Sequence, residues 1–223
     1  QNELLLALSG EKPSTPAGAI RLDDHEIAAM DAVGRRSLGL CAVPEERNGH
    51  GAVVDFSLID NTILTARDRM ELATNGIVYS IAARTFTGQV IDDFSVKTTG
   101  PGSLAGSLSG GNLQKFIMGR EILQNPEVLI VSQPTWGVAA GAAAAIHQAL
   151  VDLAENGSAI LMISQDLDEL LALCDRLAVI NEGRLSKTLN VGEASIDEIG
   201  LLMGGVHGDP FATAEMTEAV HAH

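Results

Sequence analysis

A serine followed by two glycines stands directly before a strongly helical run, and this arrangement could bind an anion. Ser109, Gly110 and Gly111 precede apolar residues at helical spacing that continue to residue 123. Glycines let a ligand approach the backbone because they carry no Cβ atom. The first amides of a helix lack intrahelical partners, and the helix dipole adds positive charge there. A phosphate group is the natural ligand, although an ordinary helix-capping turn would use the same three residues.

The longer string around these residues carries more information than the three residues alone. Residues 108–114 read LSGGNLQ, and a helix, an Asn-Pro-Glu turn and an apolar strand at 128–131 follow them. This pattern closely resembles the signature motif of ABC transporter ATPases. The resemblance implies that the serine and both glycines close over the γ-phosphate of an ATP molecule held by a partner nucleotide-binding domain. It also implies that Gln114 helps to hold the signature helix.

The strand that follows the signature ends differently from the family pattern. Residues 132–135 read SQPT, where family members usually have Asp-Glu-Pro-Thr. In the family, the aspartate organises Mg²⁺ and the glutamate polarises the attacking water. Ser132 cannot supply the carboxylate charge that Mg²⁺ prefers, and Gln133 cannot take up a proton at neutral pH. Loss of a positioned general base typically lowers the rate by about 10²–10⁴-fold, so we expect a degenerate half-site.

Three further positions of the resemblance concern the nucleotide. Ala139 stands where the family D-loop has an aspartate, and Gln165 replaces the usual switch histidine. A glutamine can still hydrogen-bond a phosphate, although it carries no charge. Residues 43–51, VPEERNGHG, are similar to the V-P-E-D-R segment of sugar and nucleoside importers, and this places Glu45 near the Q-loop glutamine. A charged surface turn would have the same composition, and both interpretations of Glu45 remain open.

No P-loop of the form G-x-x-x-x-G-K-[ST] occurs in the sequence. Residues 1–8, QNELLLAL, are similar to the family segment that directly follows the P-loop, so the resemblance implies that the first strand and the P-loop are cut off. We therefore expect the second, C-terminal nucleotide-binding domain of a duplicated importer ATPase for nucleosides or simple sugars. ATP and Mg²⁺ would act in the assembled transporter. The alternative is a non-hydrolytic docking module with the same fold.

Composition excludes some partners and favours others. The net charge is −15 with only 14 basic residues, which argues against a DNA or RNA surface and against an ABC-type DNA-maintenance ATPase. The resemblance implies another ABC nucleotide-binding domain, transmembrane permease subunits and, indirectly, a solute-binding protein as partners. It implies a peripheral location at the cytoplasmic face of the inner or plasma membrane.

We expect no metal site at His25 or at the terminal pair His221 and His223, because isolated histidines are usually incidental.

Short apolar strands alternate with helices, which predicts a mostly parallel sheet with helices on both faces. The resemblance implies the α/β fold of the P-loop NTPases, in its ABC ATPase form with an inserted helical subdomain. We predict a core lobe at 1–50 and 125–204, a helical subdomain with the signature at 51–124, and a flexible tail at 205–223.

Local patterns add finer predictions of secondary structure. Residues 25–35 have a helical pattern, and residues 38–43 form a short apolar run that predicts a buried strand. The Asn-Glu-Gly turn at 181–183 predicts a β-hairpin.

Overall fold

The computed structural model describes residues 1–12, 16 and 18–205. Contacts group the chain into two units, residues 1–165 and residues 166–223, of which the second is described as far as residue 205. The predicted boundaries of the core lobe and the helical subdomain stay predictions. The predicted tail lies outside the described residues from residue 206 onwards, and so does the terminal histidine pair.

The first unit combines helices with short strands. Its helices are α1 (Asn2–Ser9), α2 (Ala32–Ser37), α3 (Leu58–Ala66), α4 (Ser80–Asp93), α5 (Gly110–Ile122) and α6 (Ala140–Glu155), with a 3-10 turn at Ala105–Ser107. Its strands are β1 (Arg21–Leu22), β2 (His25–Glu26), β3 (Leu40–Val43), β4 (Ala73–Thr74), β5 (Ile77–Val78), β6 (Val128–Ser132) and β7 (Ala159–Ile163).

A three-stranded parallel sheet in the order β3-β6-β7 forms the centre of this unit. Alternate side chains of the strands point to opposite faces, so each face has its own apolar core. On one face Leu40 and Ile130 pack with Leu5 of α1. On the other face Cys41 and Leu129 belong to a larger core that includes residues of α3, α4, α5 and α6. The predicted parallel sheet with helices on both faces is confirmed.

The signature helix α5 runs through the larger core. Leu113, Phe116 and Ile117 are buried at the spacing that one helical face requires. Gly119 lets the helix approach the end of α4, because a Cβ atom at this position would lie 2.5 Å from Phe94 Cδ2. Asn125, in the left-handed region at φ 47°, and Pro126 separate the helix from β6.

The predicted helix over residues 25–35 is wrong over its first half. His25 and Glu26 instead form β2, which pairs antiparallel with β1. The turn between the two strands contains Asp23 at φ 49°, a conformation that aspartate tolerates better than most residues. Helix α2 begins only after Asp31, whose carboxylate accepts a 2.8 Å hydrogen bond from the Gly34 amide and thereby caps the helix.

Up to residue 205, the second unit contains two helices and four short strands. They are α7 (Leu167–Leu173), β8 (Arg176–Leu177), β9 (Ile180–Asn181), β10 (Arg184–Leu185), β11 (Leu189–Asn190) and α8 (Ile196–Met203). The predicted hairpin is confirmed: β9 and β10 pair antiparallel around Glu182 and Gly183, which both have positive φ. Within the described parts of the chain, none of the helices has the length and apolar character that a membrane crossing requires.

Candidate functional site

The signature serine and glycines lie at the N-terminus of α5. Ser109 is the N-cap residue, with extended φ and ψ of −64° and 154°, and its side chain caps no backbone amide. Instead its Oγ accepts a 2.9 Å hydrogen bond from Asn112 Nδ2. Ser109 and Gly110 are exposed, and Gly111 is half-buried. The amides of the first turn are therefore available to an anion that approaches from solvent.

Asn112 and Lys115, near the start of α5, form hydrogen bonds with the loop that precedes the helix. Asn112 Oδ1 accepts a 2.9 Å hydrogen bond from the Lys97 amide. The ammonium group of Lys115 donates to the Ser95 carbonyl. Asn112 thus joins the signature serine to the 95–97 loop, which orders the entrance to the helix.

Gln114 connects the signature helix to the segment after β6. Its side chain is 1% exposed, and its Nε2 donates a 2.9 Å hydrogen bond to the Pro134 carbonyl. A Cβ atom on Gly111 would lie 3.7 Å from the Gly137 carbonyl oxygen, which is ordinary contact distance. The signature therefore packs directly against residues 134–138.

The carboxyl end of the parallel sheet brings two of the altered positions together. Ser132 ends β6 and pairs in register with Ile163 of β7. Gln133 follows with φ 53°, and its amide donates a 2.8 Å hydrogen bond to the Ile163 carbonyl. Both side chains are buried, at 4% and 6% exposure. A left-handed conformation is unusual for a residue other than glycine and concentrates at functional sites.

The other predicted positions lie around this edge but are exposed. Gln165 comes two residues after β7, and Glu45 comes two residues after β3. The three strands are parallel, so these positions follow the same edge of the sheet as Gln133. Ala139 is the N-cap of α6, where it offers no side-chain acceptor.

Three positions at the sheet edge lack the negative charge that a hard divalent cation prefers. Positions 132, 133 and 165 carry a hydroxyl and two amides. In the described part of the chain, no three His, Cys, Asp or Glu side chains are grouped so that they could hold a metal ion. Ser132, Gln133 and Gln165 therefore do not fit Mg²⁺, which prefers carboxylate oxygens, and the Glu45 carboxylate that follows the same edge is exposed.

Arg47 is a residue of this site that the sequence did not single out. It lies four residues after the end of β3, and its Nη2 donates to the Trp136 carbonyl in the segment after β6. A Cβ atom on Gly110 would lie only 2.9 Å from Arg47 Nη1, so the guanidinium sits against the signature glycine. The one available signal was its place in VPEERNGHG, but nothing in that string indicates which carbonyl it reaches.

A buried ion cluster anchors the opposite end of α5. Glu121 is fully buried, and its carboxylate lies 2.7 Å from Arg36 Nη1 and 2.8 Å from Arg120 Nε. Burial alone would raise the pKa of Glu121, but the two guanidinium groups outweigh it and lower that pKa from 4.5 to about 2. Arg120 also donates to the carbonyls of Asn61 and Gly51. The cluster thus ties the signature helix to α3 and to the segment after β3.

Solved structures share this fold. The ATP-binding cassette MJ0796, in a dimeric post-hydrolysis state bound to ADP and Pi, matches with a TM-score of 0.70 at 15% identity, over 85% of this chain and 79% of that one. A nucleotide-free ATP-binding cassette from an ABC transporter matches with a TM-score of 0.68 at 18% identity, over 93% and 79% of the two chains.

Curated proteins match at higher identity. The guanosine import ATP-binding protein NupO of Bacillus subtilis (strain 168) is 35% identical over 205 residues, which are 92% of this chain and 40% of NupO. The ribose import ATP-binding protein RbsA of Chelativorans sp. (strain BNC1) is 36% identical over 202 residues, 91% and 39% of the two chains. The chain is a domain with the ABC ATPase fold, and its sequence is similar to these import ATP-binding proteins. No protein-family model matches it.

This ABC domain spans about 40% of the length of the curated relatives that it matches. The nucleoside import ATP-binding protein NupA of Lactococcus lactis subsp. cremoris (strain MG1363) is similar to it over the same share, at 34% identity. The site residues of the ABC domain come from α5, from the segment after β6 and from the carboxyl ends of β3 and β7.

Proposed function

We propose that this ABC domain completes the ATP site of a partner nucleotide-binding domain in an importer for nucleosides or simple sugars. The proposal rests on one observation above all. The signature serine and Gly110 are exposed at the N-terminus of α5, which no side chain caps, while Ser132, Gln133 and Gln165 at the domain's own sheet edge are uncharged. In this proposal, ATP is held by the partner domain and the signature contributes the amides that receive its γ-phosphate.

The geometry at α5 suits a phosphate group. The Ser109 hydroxyl accepts from Asn112 and keeps its own proton to donate to a phosphate oxygen. The Gly110 and Gly111 amides add donors without a Cβ atom in the way, and the helix dipole favours negative charge. When bound across the two domains, ATP supplies the phosphoryl group that is transferred to water. Residues of this chain would bind and orient that group.

We propose that the domain's own half-site is hydrolytically inactive. At neutral pH neither Gln133 nor Gln165 can accept a proton from water, and Ser132 offers Mg²⁺ no negative charge. Mg²⁺ would therefore be held by the partner domain and not by these residues. Ala139 completes the altered set, because it cannot form the hydrogen bonds of an aspartate, and Glu45 takes the place nearest the Q-loop glutamine.

The names of the similar proteins support the proposed partners and location of this domain. NupO, NupA and RbsA are named as import ATP-binding proteins, which supports permease subunits as partners and a peripheral position at the cytoplasmic face of the membrane. A solute-binding protein would then act with this domain only indirectly. The dimeric state of the cassette MJ0796 supports pairing with a second nucleotide-binding domain. The proposed domain layout places the helical subdomain, at 51–124, towards the permease.

ATP turnover tests the proposal. This domain is combined with a catalytically complete cassette of the same importer, and hydrolysis is compared between wild type and Ser109→Arg. The arginine side chain would fill the space above the first turn of α5, so we expect turnover to fall to the level of the catalytic cassette alone while ATP binding is kept.

Ser80→Arg is the matched control. Ser80 is an exposed serine in the first turn of α4 and should tolerate the same substitution without loss of turnover. Unchanged turnover in the Ser109→Arg variant would refute the proposal. It would leave the non-hydrolytic docking module as the better account of this domain.

A further inference from the structure

One arginine side chain reaches three segments of the candidate site. Arg47 belongs to the segment after β3, its Nη2 donates to the Trp136 carbonyl after β6, and its Nη1 lies against Gly110 of the signature. A Cβ atom on Gly137 would also lie 3.0 Å from Nη2. Gly137 has φ 64° and brings its backbone up to the guanidinium without a side chain between them.

Among the residues that the structure describes, no acidic side chain forms an ion pair with Arg47. Burial lowers the pKa of the Arg47 guanidinium from its ordinary value. The group nevertheless stays protonated at neutral pH. A cation at a helix N-terminus is electrostatically unfavourable because the helix dipole is positive there. An anion bound at the first turn of α5 would offset both the charge of Arg47 and the positive end of the helix dipole.

Gln114, one turn further along α5, also connects the signature helix to the segment after β6. Its Nε2 donates to Pro134, two residues before the carbonyl that Arg47 holds. The signature helix is therefore joined to the 134–137 segment at two points. Gln114 is buried inside the domain, whereas Arg47 is half-buried and belongs to the Glu45 segment. A movement of that segment would thus be passed to the signature through Arg47.

We propose that Arg47 is a positioning residue for the signature. Its forked guanidinium fixes Gly110 relative to the Trp136 carbonyl and couples the Glu45 segment to the phosphate-binding turn. This inference rests on the proposed function of the signature, but the contact of Arg47 can be tested without measuring ATP turnover. A lysine keeps the charge and loses the fork, so it cannot hold both points at once.

Trp136 is the sole tryptophan of the chain, and its fluorescence reports on this contact directly. Its side chain is 65% exposed, and its own carbonyl accepts from Arg47. In the purified chain we expect Arg47→Ala and Arg47→Lys to lower the anisotropy of Trp136 and to raise its quenching by acrylamide. Arg67→Ala is the control, because Arg67 is exposed and pairs with its neighbour Asp68. Equal anisotropy and quenching in Arg47→Ala and wild type would overturn the inference.

The two signature glycines supply a second, matched comparison. A methyl group at Gly110 would press on Arg47 Nη1 at 2.9 Å, whereas a methyl group at Gly111 meets nothing closer than 3.7 Å. We expect Gly110→Ala to change Trp136 fluorescence and Gly111→Ala to leave it unchanged. In an Arg47→Ala background, Gly110→Ala should add no further change. An additive effect of the two substitutions would contradict the proposed contact.

Turnover with a catalytic cassette separates this inference from the proposed function. Misplacement of a positioned group by about 1 Å can lower a rate by up to about 10²-fold, so we expect Arg47→Ala and Arg47→Lys to lose roughly 10-fold or more. Full turnover in both variants, beside a Ser109→Arg variant that is inactive, would overturn the positioning role and keep the proposed function. Full turnover in Ser109→Arg, beside altered Trp136 fluorescence in Arg47→Ala, would overturn the proposed function and keep the contact.

Discussion

Replacement of Glu121 by glutamine tests the buried ion cluster at the end of the signature helix. The carboxylate of Glu121 faces Arg36 and Arg120 at 2.7 and 2.8 Å and is fully shielded from solvent. Gln124 Nε2 adds a third hydrogen bond at 3.2 Å. Glutamine keeps the size of the side chain but removes its charge. Arg120, whose side chain is 3% exposed, and the partly buried Arg36 would then lose their counter-ion.

The size of the effect follows from the pKa of Glu121. A shift of this pKa from its ordinary value of 4.5 to about 2 in the folded chain corresponds to about 3 kcal/mol of stability. Removal of one partner from a buried ion pair typically lowers stability by about 3–5 kcal/mol, which agrees with that figure. We therefore expect Glu121→Gln to lower the free energy of unfolding at neutral pH by about 3 kcal/mol.

Urea denaturation at pH 7, followed by circular dichroism, measures this free energy. Glu127→Gln is the matched control: Glu127 pairs with Arg69 at 3.0 Å, but its side chain is 59% exposed. Exposed pairs contribute at most about 1 kcal/mol, so the control should change little. A loss of less than 1 kcal/mol for Glu121→Gln, equal to that of the control, would refute the argument.

The same cluster predicts a dependence on pH. The pKa of Glu121 is lower in the folded chain than in the unfolded chain, so its contribution is complete above about pH 4.5. The contribution is lost as the pH falls from 4.5 towards 2, because over this interval the unfolded chain takes up a proton at Glu121 and is stabilised, whereas the folded chain does not. We expect the stability difference between wild type and Glu121→Gln to shrink over this interval.

Other substitutions test the packing of the helices. Gly119→Ala places a methyl group 2.5 Å from Phe94 Cδ2, so thermal unfolding should show a loss of about 1–3 kcal/mol. Gly88→Ala in α4 meets nothing within 4 Å and should instead stabilise the chain by about 0.5–1 kcal/mol, and a loss there would contradict the reasoning. Ser57→Ala removes the cap that accepts a 3.1 Å hydrogen bond from the Asp60 amide, and urea denaturation should show a loss of about 1 kcal/mol.

Much of the fold could be predicted from local patterns. The strand at residues 38–43 and the strand at 128–131 are short apolar runs, and such runs indicate strands that are buried on both faces. The structure confirms both strands, as β3 and β6, with small differences at their ends. The hairpin at 181–183 was predictable because Gly183 tolerates positive φ in a tight turn.

The region at 25–35 shows where local patterns are insufficient. Its apolar spacing is compatible with a helix, but the pairing of His25 and Glu26 with β1 depends on residues several positions earlier. The cap at Asp31 then sets the start of α2. A pattern within one window contains no information about pairing partners outside it.

The sequence by itself determined the residue types at the site: the serine and glycines of the signature, and the uncharged side chains at positions 132, 133 and 165. Only the tertiary structure decided that Arg47 reaches Gly110 and the Trp136 carbonyl, and that Glu121 is buried between Arg36 and Arg120. These contacts join residues up to 89 positions apart. Their partners are set by how the elements pack, because hydrogen bonds and ion pairs depend on distance in space and not on spacing along the chain.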